Sequence, residues 1–172
     1  VLDVCSYVGP WAITALAAGA AHAVCVDASA DALDYARRNA AAAGVALETV
    51  RGEMFEVLQR FAAEKRRFDV VILDPPAFAK RRKDVPRALA AYRKLNQLAL
   101  RLLGDAGLLV SCSCSYHVPS EALLGAIQSA ARHVDRFVQL LAEGMQSADH
   151  PVHPAIQETR YLKAFFLRVG RE

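Results

Sequence analysis

Hydrophobic and polar positions follow two different periods along this chain of 172 residues. Short runs rich in apolar and β-branched residues predict strands, and segments with apolar residues every three or four positions predict helices. The predicted strands cover residues 1–5, 23–27, 47–51, 68–74, 107–114, 136–141 and 161–169. The predicted helices cover roughly residues 11–18, 30–43, 54–63, 85–103 and 120–132.

This alternation of strands and helices predicts the fold class. Parallel strands need long crossover connections, and helices between successive strands supply them. We therefore expect an α/β, doubly wound, Rossmann-like sheet that is mostly parallel and whose last strand runs antiparallel in a closing hairpin. Ser29 is the expected N-cap of the second helix, and Gly44 and Gly104 are the expected terminators of two helices. Residues 80–86 and 144–159 are expected to form exposed loops.

The composition is that of one compact domain over residues 1–172. Apolar residues make up 54% of the chain and the mean hydropathy is +0.17, enough for a sizeable core. The sequence opens at Val1 inside an apolar run, so we expect it to be the C-terminal part of a longer protein. No apolar stretch approaches the ~20 residues of a membrane span, which makes the cytoplasm the default location and a membrane partner unexpected.

Charge and cysteine content exclude few classes of function. A net charge of +3 and a pI near 8.8 suit an anionic partner but are also common in proteins that bind no nucleic acid. The four cysteines show no metal-ligand spacing, so we expect free thiols and no bound metal.

The turn after the first strand is the first place to look for chemistry, because open α/β sheets bind ligands at the carboxyl ends of their strands. This turn runs from Asp3 to Gly9, and Gly9 and the small Ser6 allow a ligand to approach the backbone closely. It contains no G-x-G-x-x-G, which disfavours nicotinamide and flavin dinucleotides.

Asp27 ends the second strand about twenty residues further on, where a carboxylate can accept both hydroxyls of an adenosine ribose. The alternative is that Asp27 only stabilises the dipole of the helix that follows. After the third strand, Glu53 offers a polar group to an adenine amine, with Met54 or Phe55 against the ring. These residues equally fit a helix start followed by core positions.

The fourth strand ends in Asp74-Pro75-Pro76-Ala77-Phe78, a segment that two prolines make rigid. This rigidity favours a binding lip beside Asp74 over a solvated turn. The fifth strand should lie about 4.8 Å away, which brings Cys114 next to Asp74. A thiol at a wet strand end can act as a nucleophile, whereas Cys112, earlier in the same strand, is read as a small buried hydrophobe.

A basic run follows the proline segment directly. It consists of Lys80, Arg81, Arg82 and Lys83. Such a run suits RNA phosphates, although a charged run is also typical of a solvated face.

Together these segments resemble one family of class I S-adenosylmethionine (SAM)-dependent methyltransferases. Its members form 5-methylcytosine in bacterial large-subunit ribosomal RNA and carry a PUA domain in front of the catalytic domain. The matching motifs are Cys-Ser-Tyr-x-Gly at 5–9, Val-Asp-x-Ser at 26–29 with Ala-Leu at 32–33, Asp-Pro-Pro-x-Phe at 74–78, Tyr-x-x-Leu-Asn at 92–96, Ser-Cys-Ser at 113–115, Asp-His-Pro at 149–151 and Tyr-Leu-Lys at 161–163.

The resemblance implies SAM as cofactor, ribosomal RNA as partner and a covalent mechanism in which Cys114 attacks the base and Asp74 lines the active site. The resemblance is also compatible with a homodimer of the full-length protein. The cofactor residues it implies are Ser6, Tyr7, Gly9, Asp27, Ala28, Glu53, Met54 and Asp74. The implied RNA contacts are Pro75, Pro76, Phe78, Lys80, Arg81, Arg82 and Lys83.

Three positions depart from the family pattern, and two rival functions remain. Pro10 stands where a second glycine is usual, Glu53 replaces the commoner aspartate, and residues 157–159 replace a Pro-Glu-Gly turn. One rival is a methyltransferase for another nucleobase position or a small molecule, with Cys114 used only for packing. The other is a non-catalytic module that binds the cofactor and RNA.

Overall fold

A computed structural model describes residues 1–170 and forms one sheet of seven strands from them. The strands are β1 Leu2–Val4, β2 Val24–Asp27, β3 Glu48–Arg51, β4 Phe68–Leu73, β5 Leu103–Ser113, β6 Phe137–Gly144 and β7 Lys163–Gly170. The α-helices are α1 Pro10–Ala17, α2 Ala30–Ala42, α3 Met54–Ala63, α4 Val85–Leu102 and α5 Ser120–His133.

The strand order in the sheet is β3-β2-β1-β4-β5-β7-β6. The pairs among β3, β2, β1, β4 and β5 are all parallel, whereas β7 runs antiparallel to both β5 and β6. The expected α/β class, the mostly parallel sheet and the closing hairpin are therefore confirmed. The order reverses between β1 and β4, and in such sheets the ligand crevice lies at that point, beyond the carboxyl ends of the strands.

Both faces of the central strands are buried, as a parallel sheet requires. Successive side chains of β4 point to opposite faces, so they join different clusters. Val71 and Leu73 pack in the main core with Leu100 of α4. Ile72 packs in a second cluster with Val110 of β5, against which Trp11 of α1 rests.

Two of the three expected helix signals are confirmed and one is wrong. The Ser29 hydroxyl accepts a hydrogen bond from the Ala32 amide at 3.2 Å, and Gly44 follows the end of α2 with a φ of 70°. Gly104 does not end α4 in this way, because Leu103 is already extended and pairs with Phe68. The chain passes directly from helix to strand, so β5 begins at Leu103 and not at residue 107.

Smaller differences follow from local backbone geometry. β1 stops at Val4 because Cys5 has a left-handed φ of 62°. The two segments expected to be loops each contain a short 3-10 helix, at Arg82–Asp84 and Gln157–Thr159. Among the helices of residues 1–170, none has the length and apolar character needed to cross a bilayer.

Leu100→Ala should lower the free energy of unfolding by about 2–5 kcal/mol, because the side chain is fully buried in the main core and its loss leaves a cavity. Leu141→Ala is the matched control, since Leu141 is 50% exposed on β6 and should change stability by about 0.5 kcal/mol or less. Urea unfolding measures both. Equal losses would contradict this assignment of the core.

Candidate active site

The turn between β1 and α1 is tightly wound. Cys5, Tyr7 and Gly9 all have positive φ angles, of 62°, 48° and 82°. A Cβ at Gly9 would lie 3.2 Å from the Cβ of Ala36, so glycine is favoured here by both space and conformation. Pro10 then occupies the first position of α1, where its missing N–H costs nothing. The departure from the family pattern at Pro10 is therefore compatible with this turn.

Asp27 ties the turn after β1 to the end of β2. Its Oδ2 accepts the Tyr7 amide and its Oδ1 accepts the Ser29 amide, both at 2.9 Å. Neither expected role, ribose acceptor or helix-dipole partner, included the bond to Tyr7. A carboxylate has about four lone-pair sites, so acceptor capacity remains for a ligand in addition to these two bonds.

A cleft of about 390 Å³ opens at the carboxyl ends of the strands. Its walls are Cys5, Val26, Asp27, Ala28, Gly52, Glu53, Met54, Asp74 and Pro76. Five of the eight expected cofactor residues therefore line it. The other three, Ser6, Tyr7 and Gly9, belong to the adjoining turn and do not line the cleft itself. Phe55 lies elsewhere, because its ring sits under the Lys94 ammonium at 5.3 Å.

Asp3 is a buried carboxyl group that the sequence analysis did not single out. Its Oδ2 accepts the Ala12 amide at 3.2 Å, and its Oδ1 has no hydrogen-bond partner within residues 1–170. Burial, together with the nearby charges of Asp74 and Asp27, raises the pKa of Asp3 to about 7, although the hydrogen bond from the Ala12 amide opposes the shift. The Ser6 hydroxyl is likewise buried and lies beside the Cys25 thiol, with no nitrogen or oxygen partner in this part of the chain. Such orphaned groups are uncommon in folded proteins and mark positions where a ligand or water is expected.

The segment Asp74-Pro75-Pro76 begins directly after β4. Asp74 accepts a hydrogen bond from the Trp11 indole N–H at 3.3 Å, and burial raises the pKa of its carboxyl group. Pro75 is buried, whereas Pro76 is exposed and lines the cleft. The two prolines therefore present Asp74 at the cleft wall on a stiff backbone.

Cys114 follows β5 immediately and lies beside this segment, as expected. Its Sγ is 3.8 Å from the Pro75 carbonyl oxygen, and the residue is partly exposed. Burial raises the pKa of the Cys114 thiol and the charge of Asp74 adds to this, while the ammonium of Lys163 opposes it. Cys112, by contrast, is buried in the second cluster, which confirms its packing role.

Lys163 is a second residue that the sequence analysis did not assign to the site. It begins β7, and its Nζ donates to the carbonyl oxygens of Ser115 and Val118 at 2.7 and 2.9 Å. These bonds fix the chain just after Cys114. Because the ammonium is half-buried and interacts with the thiol, Lys163 both orders this loop and places a positive charge near Cys114.

A buried hydroxyl network holds the two loops together. The Tyr92 hydroxyl donates to Ser113 Oγ at 2.8 Å, the Ala79 amide donates to Ser115 Oγ at 3.2 Å, and the Ser115 amide donates to Ser113 Oγ at 3.2 Å. Phe78, expected to contact RNA, packs half-buried on Tyr92 with ring centroids 4.7 Å apart. Its visible role is to support the proline segment.

The basic run after the proline segment lies fully on the surface. Lys80, Arg81, Arg82 and Lys83 are all exposed, and Arg81 pairs with Asp84 at 3.4 Å. This placement fits either phosphate binding or solvation, so RNA contact stays a prediction. Within residues 1–170, no group of His, Cys, Asp or Glu side chains has a metal-binding arrangement.

Comparison with known proteins now identifies the family. The model described as Conserved hypothetical protein 95 matches residues 1–108. This chain belongs to that family. Two curated relatives are each named Ribosomal RNA large subunit methyltransferase I: the protein from Serratia proteamaculans is 37% identical and that from Salmonella arizonae 38%, each over 98% of this chain and 43% of the relative. The chain thus spans less than half the length of these relatives.

Solved structures share the fold. A candidate SAM-dependent methyltransferase from Streptococcus mutans superposes with a TM-score of 0.83 at 20% identity, over 97% of this chain and 43% of that chain. An O-methyltransferase from Bacillus cereus, solved in complex with S-adenosylhomocysteine (SAH), gives a TM-score of 0.62 at 16% identity, over 99% of this chain and 73% of that chain. At these identities the likeness supports the methyltransferase-type fold alone.

The raised pKa of Asp3 predicts a pH-dependent stability. Below about pH 4 the carboxyl group is protonated in both the folded and the unfolded chain. Between about pH 4 and pH 7 it ionises only in the unfolded chain, so the free energy of unfolding falls as pH rises and levels off above the folded pKa of about 7. In Asp3→Asn this contribution disappears. Urea unfolding at several pH values should show that the free energy of unfolding of the variant rises relative to that of wild type by a few kcal/mol across this range.

The control for this experiment is Asp31→Asn, which changes an exposed carboxylate on α2. This variant should lack the gain in stability relative to wild type that Asp3→Asn shows between about pH 4 and pH 7, because Asp31 is exposed and is not desolvated on folding. The absence of that gain in Asp3→Asn as well would mean that Asp3 ionises normally in the folded protein.

Lys163→Gln should raise the pKa of the Cys114 thiol, because it removes a positive charge that favours the thiolate. The measurement is the rate of Cys114 alkylation by iodoacetamide against pH, read by peptide mass spectrometry. Lys163→Arg should keep the pH midpoint of alkylation below that of Lys163→Gln, because it retains the positive charge. Lys80→Gln, which changes an exposed lysine, should have the midpoint of wild type. If Lys163→Gln and wild type share one alkylation midpoint, Lys163 does not tune the thiol.

Proposed function

We propose that this chain is the catalytic domain of a SAM-dependent methyltransferase that methylates carbon 5 of a cytosine in large-subunit ribosomal RNA through Cys114. The observation that carries this proposal is the juxtaposition of a partly exposed thiol, the rigid Asp74-Pro75-Pro76 segment and the cleft at the carboxyl ends of the strands. A nucleophile, a carboxyl group and a cofactor-sized cavity meet there within one sheet edge.

The residues of the cleft fit SAM. Asp27 offers acceptors for the ribose hydroxyls, and Met54 and Val26 provide apolar surface for a flat ring, with Glu53 as a polar neighbour. The volume of about 390 Å³ lies in the range of small-molecule sites. The carboxyl group of Asp74, at the cleft wall, suits the positive charge of a sulfonium ligand.

The chemistry follows from the groups beside the cleft. Bound SAM supplies an electrophilic methyl group. The Cys114 thiolate adds to carbon 6 of the pyrimidine, forming an S–C6 bond and making carbon 5 nucleophilic. Carbon 5 would take the methyl group from the bound cofactor, with the cofactor's carbon–sulfur bond breaking and the electron pair left on SAH. Carbon 5 would then lose its proton to water, and the electrons of that C–H bond would restore the ring double bond as the S–C6 bond breaks. Asp74, held at the cleft wall by the hydrogen bond from the Trp11 indole, can orient the base through a hydrogen bond of its own.

The choice of ribosomal RNA rests on the relatives. Their shared name, Ribosomal RNA large subunit methyltransferase I, describes an rRNA-modifying enzyme, and they align over 98% of this chain. The exposed basic run at Lys80–Lys83 adds a surface that suits phosphate groups near the same sheet end. A target base inside paired RNA would have to be unstacked to reach the thiol.

One observation favours a second candidate, a methyltransferase for another nucleobase position or a small molecule. Burial and the charge of Asp74 both raise the pKa of the Cys114 thiol, which favours the neutral thiol that simple packing requires. In that case Asp74 and the cleft would remain the active site, and Cys114 would contribute no bond to the substrate.

Cys114→Ala distinguishes these two functions, and Asp27→Ala tests the cofactor site that both of them share. Cys114→Ala should abolish methyl transfer from radiolabelled SAM to ribosomal RNA, yet bind SAH as wild type does in calorimetry, because the thiol touches the base and not the cofactor. Asp27→Ala should weaken SAH binding about tenfold or more through the loss of hydrogen bonds to a charged acceptor. Asp31→Ala is the control for lost negative charge. Normal turnover by Cys114→Ala would leave the second candidate standing.

A further inference from the structure

A second cavity, of about 450 Å³, lies on the side of Cys114 away from the cofactor cleft. It is an open cavity lined by the start of α5, the end of β6 and the start of β7. The residues of its wall that matter here are Tyr116, Glu143, Met145, Arg160 and Lys163. We call it the β6–β7 cavity. Neither the cofactor cleft nor the thiol chemistry described above uses it.

Lys163 connects this cavity to the thiol. Its side chain lines the β6–β7 cavity while its ammonium interacts with Cys114, and Tyr116 follows Cys114 by only two residues. β5 and β7 are neighbours in the sheet, and β6 lies one strand further. With strands about 4.8 Å apart, the cavity begins within roughly 5–10 Å of the strand end that carries the thiol.

The lining of the β6–β7 cavity has the composition of a nucleotide site. Tyr116 is 37% exposed and Met145 is 60% exposed, so both side chains leave surface accessible at the cavity. Arg160 is exposed at the same cavity and provides a planar cation. Unpaired RNA bases stack on aromatic rings and on guanidinium planes, while arginine also pairs with phosphate. Glu143 adds an acceptor for a base amine or a ribose hydroxyl.

We propose that the β6–β7 cavity binds an unpaired RNA nucleotide next to the base that is methylated, stacking that nucleotide on Tyr116 with Arg160 at its phosphate. This inference rests on the proposed function, because it takes Cys114 as the point where the target base sits. The cofactor cleft, the thiol and the cavity then lie in sequence along one sheet edge. A target base turned towards Cys114 leaves its neighbour at the mouth of the cavity.

The test measures whether Tyr116 and one flanking base act together. The probe is a short fluorescein-labelled uridine-rich RNA with a single cytidine, made intact and with an abasic site on either side of the cytidine. Binding is followed by fluorescence anisotropy with SAH present. All variants carry Cys114→Ala, so that binding is measured without methyl transfer. Tyr116→Ala should weaken binding of the intact RNA by about 5- to 100-fold, the range that corresponds to stacking of one base.

An abasic site on one flank should weaken binding to the Tyr116 parent by a similar factor and cause no further loss in Tyr116→Ala, because both changes remove the same contact. Tyr116→Phe should bind like the parent, since it keeps the ring. Tyr35→Ala removes a different exposed tyrosine, which lies on α2, and should also bind like the parent. Arg160→Gln should weaken binding and reduce its salt dependence.

Three results would overturn the subsite. The first is an unchanged affinity of Tyr116→Ala for the intact RNA, and the second is that the affinity losses from Tyr116→Ala and from the abasic site multiply when both changes are made. The third is that the parent binds none of the RNAs. A cavity that serves a protein segment or a small molecule would give the first of these. The outcome is separate from that of the proposed function. Coupled binding without methyl transfer in the wild-type chain would contradict the function alone, and methyl transfer without coupling would contradict the subsite alone.

Discussion

The parallel pairing of β4 with β5 is the constraint on which the site depends. Leu73 pairs with Ser111, so both strands end at the same edge of the sheet and the segments after them run side by side. This register brings Cys114 to Pro75 although 39 residues separate them along the chain. The pairing of β1 with β2 and with β4 adds Asp27 and Asp74 to the same edge. A slip of one residue would turn these side chains to the wrong face.

Register alone does not fix the loops that follow the strands, and a buried polar network does so here. Tyr92, Ser113 and Ser115 are almost completely excluded from solvent, where an unmade hydrogen bond costs about 1–3 kcal/mol. Their mutual bonds satisfy the hydroxyl groups, and the bond from the Ala79 amide joins the loop after β4 to the loop after β5. Lys163 holds the second loop from the other side. The thiol therefore sits on a backbone that is restrained at several points.

The sequence predicted the elements whose signals are local and missed those that depend on contacts between distant segments. Alternating apolar runs were enough for the sheet, and Ser29 and Gly44 carry capping signals within a few residues of the helix ends they mark. Gly104 misled because the end of α4 is set by the pairing of Leu103 with Phe68, which no local pattern reveals. The strand-end rule led to Asp27, Asp74 and Cys114. Asp3 carried one overlooked signal, an acidic residue inside an apolar strand. Lys163 belonged to the matching motif at 161–163, but no local pattern tied it to the thiol.

The electrostatics of Cys114 explain why a residue such as Lys163 belongs beside it. Each unit by which burial raises a thiol pKa lowers the thiolate population about tenfold near neutral pH, while the nucleophilicity of the remaining thiolate rises only about threefold. Burial is therefore a net loss in reactivity of roughly threefold per unit. The same burial shields the ammonium of Lys163 from solvent, so its attraction for the thiolate is screened less than it would be in water. Burial also lowers the pKa of Lys163, while the two carbonyl oxygens that accept hydrogen bonds from its ammonium favour the charged form. The charged Lys163 therefore acts on the half-buried thiol more strongly than it would at an exposed site.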